Sequence, residues 1–371
     1  AGLVGVLAEP GAGAATRAVE AAAALPPIDS CLDVDTLARR PGLPADPDIR
    51  ARAAQLRLDL GRALSLGAAG RYADGLALAE RLVAPADALA WPPLAAEVRL
   101  AAGNLASAIR RTDDQAEQTL EAAFFLALDA GHDVLAARAA VRLSEYVGST
   151  LLRVDDAERW SRLAHALLPR LAGEAPLVES LLLCNDANLA KLRADPTTAA
   201  ATFARCHEAR SALLGPAHPL TAAALFSHAS VGVGVRVRQR RDLLARALAA
   251  QEPALGPEHP LVAKTLGDLG NLQIQLGELD AADAALTRAI EIDRRHFGDD
   301  HVRVGDDYLR LARLERARGR LEAARDHYAA TLARFERGPP IARAAAAEAR
   351  ADRAERERAR GDLDAALAHA E

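Results

Sequence analysis

The chain has 371 residues, half of them apolar but only 3% aromatic, and a formal net charge of −5. That balance excludes the global attraction expected of a nucleic-acid or anionic-membrane binder, and the scarcity of aromatic residues excludes a base-stacking platform. Length alone would allow two or three globular domains, unless the chain grows by repetition.

In chain order, residues 1–47 come first, as a short helical segment and a Pro-rich linker. Ala14 to Leu25 reads as one helix, stopped by Pro26 and Pro27. Pro41, Pro44 and Pro47 then mark extended backbone. From Asp48 a helical pattern runs almost unbroken, and residues 48–371 form one region. Turn positions recur in it near Gly70, Arg111, Leu152, Ala194, Val235, Gly277, Gly319 and Gly361, at steps of 41 or 42 residues. Only four of these eight are Gly, so register carries the middle of the series. Ala116, Ala157, Ala199, Ala282, Ala324 and Ala366 each lie five residues beyond their turn. Gly ends one helix in a backbone conformation other residues resist. A small residue five positions later lets two helix backbones approach closely. Leu266, Leu269 and Gly270 before the Gly277 turn, and Leu286, Ala289 and Ile290 after it, each define one helix face.

Between the turns lie loops with a shared motif. Gly215-Pro216-Ala217-His218-Pro219 returns as Gly256-Pro257-Glu258-His259-Pro260, and more loosely as Gly298-Asp299-Asp300-His301. Pro219 and Pro260 suit a first helical turn, where a missing N–H is harmless. The three histidines are one repeat length apart. That separation favours hydrogen bonding to the next helix start over a shared metal. Val231 to Val237 alternates like a strand, but the register makes it a helix end and turn.

No catalytic motif appears: no phosphate loop, HExxH, paired-Cys zinc spacing or nucleophile elbow. No cofactor or metal is expected, and no catalytic residue is assigned. Cys184 and Cys206 fall on the two helices of the fourth unit and read as buried free thiols. With only three cysteines and no CxxC pair, a reducing cytoplasm is the expected compartment. No apolar run is long enough to span a membrane. Candidate binding residues are polar stripes on first helices. Asn185, Asn188 and Lys191 lie three apart. Lys264, Asp268, Asn271 and Gln275 follow at four, three and four. Arg310 and Arg313 lie three apart and suit the carboxylates of an acidic peptide. Asn side chains can hold an extended backbone through paired donor and acceptor contacts.

The turn, loop and small-residue pattern resembles the tetratricopeptide repeat of the 42-residue, kinesin-light-chain-like type, over roughly residues 50–371. The resemblance implies an all-α, right-handed superhelix (an α-solenoid) of about eight helix-turn-helix units. It further implies a scaffold that binds a protein or peptide partner in a concave groove, with no nucleic acid and no membrane insertion. Gln273 and Glu315 stand where the family often has an aromatic residue. Val235 and Arg240 replace the turn Gly and small Ala in the fifth unit, predicting looser packing there. The stretch AAALPPIDSCLD leading into weak repeats resembles the C-terminal region of bacterial eukaryotic-like serine/threonine protein kinases. No kinase motif is present, so any such catalytic domain would lie upstream of Ala1. A tetratricopeptide sensor of a transcriptional regulator is the other expected parent, and a freestanding adaptor the third. The absence of Met and the stop at Glu371, inside a unit, are read as signs of a piece of a larger signalling protein.

Overall fold

The computed structural model describes residues 41–68, 71–109, 114–171, 175–232, 235–335 and 350. The expected helix over residues 14–25, the turn positions Gly70, Arg111 and Gly361, and Ala366 lie outside them. Among the described residues there are fourteen α-helices and no strand, an all-α helical-repeat fold. They pair as α1 (Pro47–Ala68) with α2 (Tyr72–Ala88), α3 (Pro92–Ala108) with α4 (Asp114–Asp129), and α5 (Asp133–Ser149) with α6 (Val154–Leu167). Then come α7 (Ala175–Leu192) with α8 (Pro196–Leu214), α9 (Pro219–Ala229) and α10 (Val237–Leu255), α11 (Pro260–Gln275) with α12 (Leu279–Phe297), and α13 (Val302–Ala317) with α14 (Leu321–Phe335). These are repeats 1 to 7. No described helix is long and apolar enough to cross a membrane.

The turns follow the register rather than the residue type. Gly277 and Gly319 have φ of +77° and +76°. Leu152 and Ala194, at equivalent positions, adopt +59° and +58° without being Gly. Left-handed backbone strains an L side chain by roughly 1–2 kcal/mol, and Leu152 is 71% exposed, so its side chain returns little. Leu152→Gly should therefore raise stability by about 0.5–1 kcal/mol once glycine's extra unfolded-state entropy is subtracted. A lower midpoint in urea denaturation would refute this. The fifth turn departs from the expected register. Val235 is not left-handed; Gly232, three residues earlier, takes φ of +82°. A glycine near at hand relieves Val of a conformation that a β-branched residue resists. Accordingly α9 has 11 residues, against 16 in α11 and in α13.

In repeats 2, 3, 4, 6 and 7 the small residue after the turn lies at the seam of the helix pair. Ala116, Ala157, Ala199, Ala282 and Ala324 are all buried, at 2% exposure or less. A Cβ added to Gly148 of α5 would lie 3.1 Å from the Cβ of Ala157, and one on Gly270 of α11 would lie 2.7 Å from Leu286 Cγ. The His loops cap helices. Nδ1 of His218, His259 and His301 accepts the N–H of the residue two positions on, at 3.1, 3.1 and 3.2 Å. Each satisfies one of the orphan donors at a helix start.

Ion pairs tie four of the described turns to the second helix of the preceding repeat. Arg153, beside the Leu152 turn, bonds Glu117 of α4. Arg193, beside Ala194, bonds Glu158 at 2.9 Å and also Asp155 of α6. Arg318, beside Gly319, bonds Asp283 at 2.7 Å and Asp280 at 3.2 Å on α12. Between repeats 5 and 6 the polarity is reversed: Glu278, beside Gly277, accepts from Arg241 of α10 at 3.1 Å.

The chain divides into two compact bodies within repeat 5. One ends at Gly234 and takes back Ala254–Gly256; the other comprises Val235–Pro253 and continues from Pro257. In the first body an extended core built mostly of Ala and Leu, with Phe124 and Tyr146, runs from Ala63 to Leu189. In the second, Leu266, Ala289 and Ile292 pack between α11 and α12, and Leu309, Ala312 and Tyr328 between α13 and α14.

Candidate binding surface

Repeat periodicity brings the second body's candidates together. Lys264, Asp268 and Asn271 of α11 occupy the positions that Asp306, Arg310 and Arg313 occupy on α13, 42 residues on. The structure joins the middle pair: Arg310 donates to Asp268 Oδ1 at 2.8 Å and to Asp307 Oδ1 at 3.2 Å. Lys264 and Gln275 are exposed, and Asn271 and Arg313 half-buried. In the first body Asn188 is half-buried and Lys191 exposed, its Nζ 3.0 Å from Ser230 Oγ.

Two expectations change. Asn185 is 4% exposed, and its Nδ2 donates to Ser144 Oγ at 2.9 Å, which in turn donates to the Ala157 carbonyl at 2.7 Å. It fastens α7 to α5 and α6 rather than facing a partner. Arg310 already holds two carboxylates, so its fork is occupied. Arg318 and Arg320 are likewise engaged on Glu315, and Arg241 on Glu278 and Asp242.

Beneath the α11–α13 stripe lies a buried charged layer that the sequence reading missed. Asp293 of α12 accepts from Arg303 Nε at 3.1 Å, and Arg303 reaches the Pro260 carbonyl at 2.9 Å. Asp307 and Asp293 are each 2% exposed, and each keeps one buried carboxylate oxygen without a hydrogen-bond donor. Burial pushes Asp307 up to about 7, against the pull of Arg310. Burial raises Asp306 and Asp293 as well, with Arg310 and Arg303 respectively opposing. The available signal was positional. Asp307 stands one repeat after Thr265, a buried residue whose hydroxyl bonds Gln251 at 2.7 Å. Both belong to an interior layer, not a surface.

Elsewhere in the first body, a cleft of about 340 Å³ lies among α2, α3 and α4, lined by Leu76, Val83, Ala102, Ala106 and the paired Asp87 and Arg99. The thiol reading is overturned: Cys184 and Cys206 form a disulfide between α7 and α8, with Cα atoms 5.4 Å apart. Their separation of 22 residues is about half a repeat, which places them opposite each other on paired helices. Among the described residues no three His, Cys, Asp or Glu side chains are placed to hold a metal ion.

No curated protein sequence matches the chain. Among solved structures, BtubC (BKLC) from P. vanneervenii aligns with a TM-score of 0.50 and 18% identity, over 64% of this chain and 89% of that one. Aspartyl phosphate phosphatase F from Bacillus subtilis aligns with a TM-score of 0.57 and 13% identity, over 92% and 85%. A Rap protein complexed with competence and sporulation factor gives 0.50 and 13%, over 85% and 96%. At such identities the likeness is one of fold. The family pattern described as tetratricopeptide repeat matches residues 241–295. Residues 241–295 are thus tetratricopeptide repeat sequence, and the helix pairs on either side of them build the same all-α repeat fold.

Proposed function

We propose that this chain is an interaction scaffold that catalyses nothing itself and binds a protein or peptide along the first-helix face of its repeats. The observation that carries the reading is the stripe of Lys264, Asn271, Gln275 and Arg313, polar side chains exposed or half-buried on two adjacent first helices. They stand on helices whose opposite faces are fixed in the core, so a partner meets a surface already ordered and the entropy lost on association is small. The Rap structure in complex with a factor supports the reading by fold analogy only. Asn188 and Lys191 extend the proposal to the first body. Lys264 and Arg313 suit acidic side chains of the partner.

We place the scaffold in the cytoplasm, as the regulatory or recruiting part of a larger bacterial signalling protein, with a serine/threonine kinase or a transcriptional regulator as the parent. An antibody against the chain tests this context. A native band near 39.0 kDa would remove the larger parent.

The binding face is tested by selecting peptides from a random library on the full chain. Enriched peptides should be acidic and should lose about tenfold or more in affinity to Lys264→Ala combined with Asn271→Ala, as expected when polar contacts are removed. Arg159→Ala, on a second helix, should leave binding unchanged. Peptides that bind the double variant as tightly as the parent would rule out this face.

A further inference from the structure

The disulfide of repeat 4 has an unusual neighbour. Cys184, 9% exposed, and Cys206, fully buried, pack with Ala224 of α9 in a small apolar cluster. Arg210 stands one turn beyond Cys206 on α8 and is 7% exposed. Residues four apart share a helix face, and long helical side chains lean back towards position i−4. Arg210 therefore lies along the same seam as Cys206. One guanidinium nitrogen donates to the Leu220 carbonyl at 3.0 Å, and the buried Nε meets no acceptor.

Among the described residues no carboxylate is hydrogen-bonded to this cation. Glu145 of α5 acts on it only at a distance and is itself bonded to Arg142. On α8, Arg205 and Glu208 are exposed and His207 is half-buried, while Ala224 of α9 packs against the sulfur pair. Burial depresses the Arg210 guanidinium to about 10. A buried cation lacking an anion is strongly disfavoured. Opening the disulfide would create one beside it.

We propose that Cys184–Cys206 is a reversible redox switch in repeat 4, in which the Cys206 thiolate becomes the counter-ion of Arg210 when the bond is open. An external thiolate of the glutathione class attacks Sγ of Cys184, the less buried sulfur. A mixed disulfide forms on Cys184, and Cys206 departs with the electron pair of the broken S–S bond. A second external thiolate attacks the external sulfur of the mixed disulfide. That releases Cys184 as a thiolate, which takes a proton from water, and yields the oxidised external disulfide. The reverse sequence, with an external disulfide as oxidant, closes the bond. A leaving thiolate stabilised by Arg210 departs faster. The closed bond ties both helices of the repeat, so oxidation stiffens one repeat within the array.

The test equilibrates the full chain in mixtures of reduced and oxidised glutathione, followed by alkylation and peptide mass mapping, with Cys31 as an internal comparison. The expected result is a linked Cys184–Cys206 peptide that opens and recloses across the series, with a melting temperature that follows the linked fraction. Arg210→Met should slow opening by glutathione about tenfold, while Arg210→Lys, which keeps the charge, should open near the parent rate. Cys184→Ser should melt alike in both buffers. The proposal is overturned by thiols that stay unlinked in oxidised glutathione, by opening only as fast as global unfolding, or by equal opening rates in Arg210→Met and the parent.

Discussion

Asp307→Asn should raise the stability of the second body at pH 8 and flatten its dependence on pH between 4 and 8, leaving the share that Asp306 and Asp293 carry. Asp307 sits with its side chain 3% exposed beside Asp306 and Asp293, facing Arg310 and Arg303, with Asp268 of α11 on the far side of Arg310. Its carboxyl is pushed up to about 7 by burial, whereas in the unfolded chain it titrates near ~3.9. The sign follows from linkage. Below the unfolded value both states hold the proton, and the folded state pays nothing for burying the group. As pH rises, the unfolded state releases its proton first and gains on the folded one. The stability tied to the neutral carboxyl is lost by the time pH passes about 7. Three units correspond to about 4 kcal/mol in the limit. Asp306 and Asp293 are raised in the same direction and divide the effect, so about 1–3 kcal/mol is expected at pH 8 from this substitution alone. Asn has the shape of the neutral acid and can still accept from Arg310. Both tryptophans, Trp91 and Trp160, lie in the first body, so the readout is hydrogen exchange of α11 and α13. Parallel stability curves for the two proteins between pH 4 and 8 would show that Asp307 holds no proton there.

Ala282→Leu is the second large expectation. Ala282 is fully buried where α12 crosses α11, and its carbonyl lies 3.4 Å from where a Cβ on Gly270 would stand. Three added heavy atoms have nowhere to go without parting the two helices. Overpacking of this kind costs about 1–3 kcal/mol. The melting temperature should fall, and protection from exchange should fall in α11 and α12 before α14. A variant that melts with the parent would mean that the seam is not at Ala282.

These two residues differ in how readily the sequence disclosed them. Ala282 was visible because a small residue at a fixed distance from a turn has one geometric use, repeated down the chain. Leu152 and Ala194 were visible for the same reason, although neither is the residue type a left-handed turn favours. The His218, His259 and His301 caps followed from their place just before a helix start. Asp307 was not visible. An Asp-Asp pair on an amphipathic helix reads as solvated, and only packing against Gly267 and α12 reveals one of the two as interior. Asn185 failed similarly, since its stripe spacing does not say that Ser144 lies within reach. The cysteine pair was placed on the correct two helices, but composition argued against a bond that geometry makes. Val235 failed because the register assumed a rigid step where a neighbouring glycine could absorb the turn.

The reversed ion pair between repeats 5 and 6 bears on how such an array can change its order. Repeats that arise by duplication could in principle be lost, gained or exchanged by recombination between similar segments. Were repeat 6 to follow repeat 3 directly, Glu278 would face Glu158, the acid that Arg193 now engages. Two like charges would then meet where two opposite ones do. The junction between repeats 5 and 6 thus accepts its own neighbour and repels those of the opposite polarity, so the charges at the repeat edges restrict which repeats can follow one another.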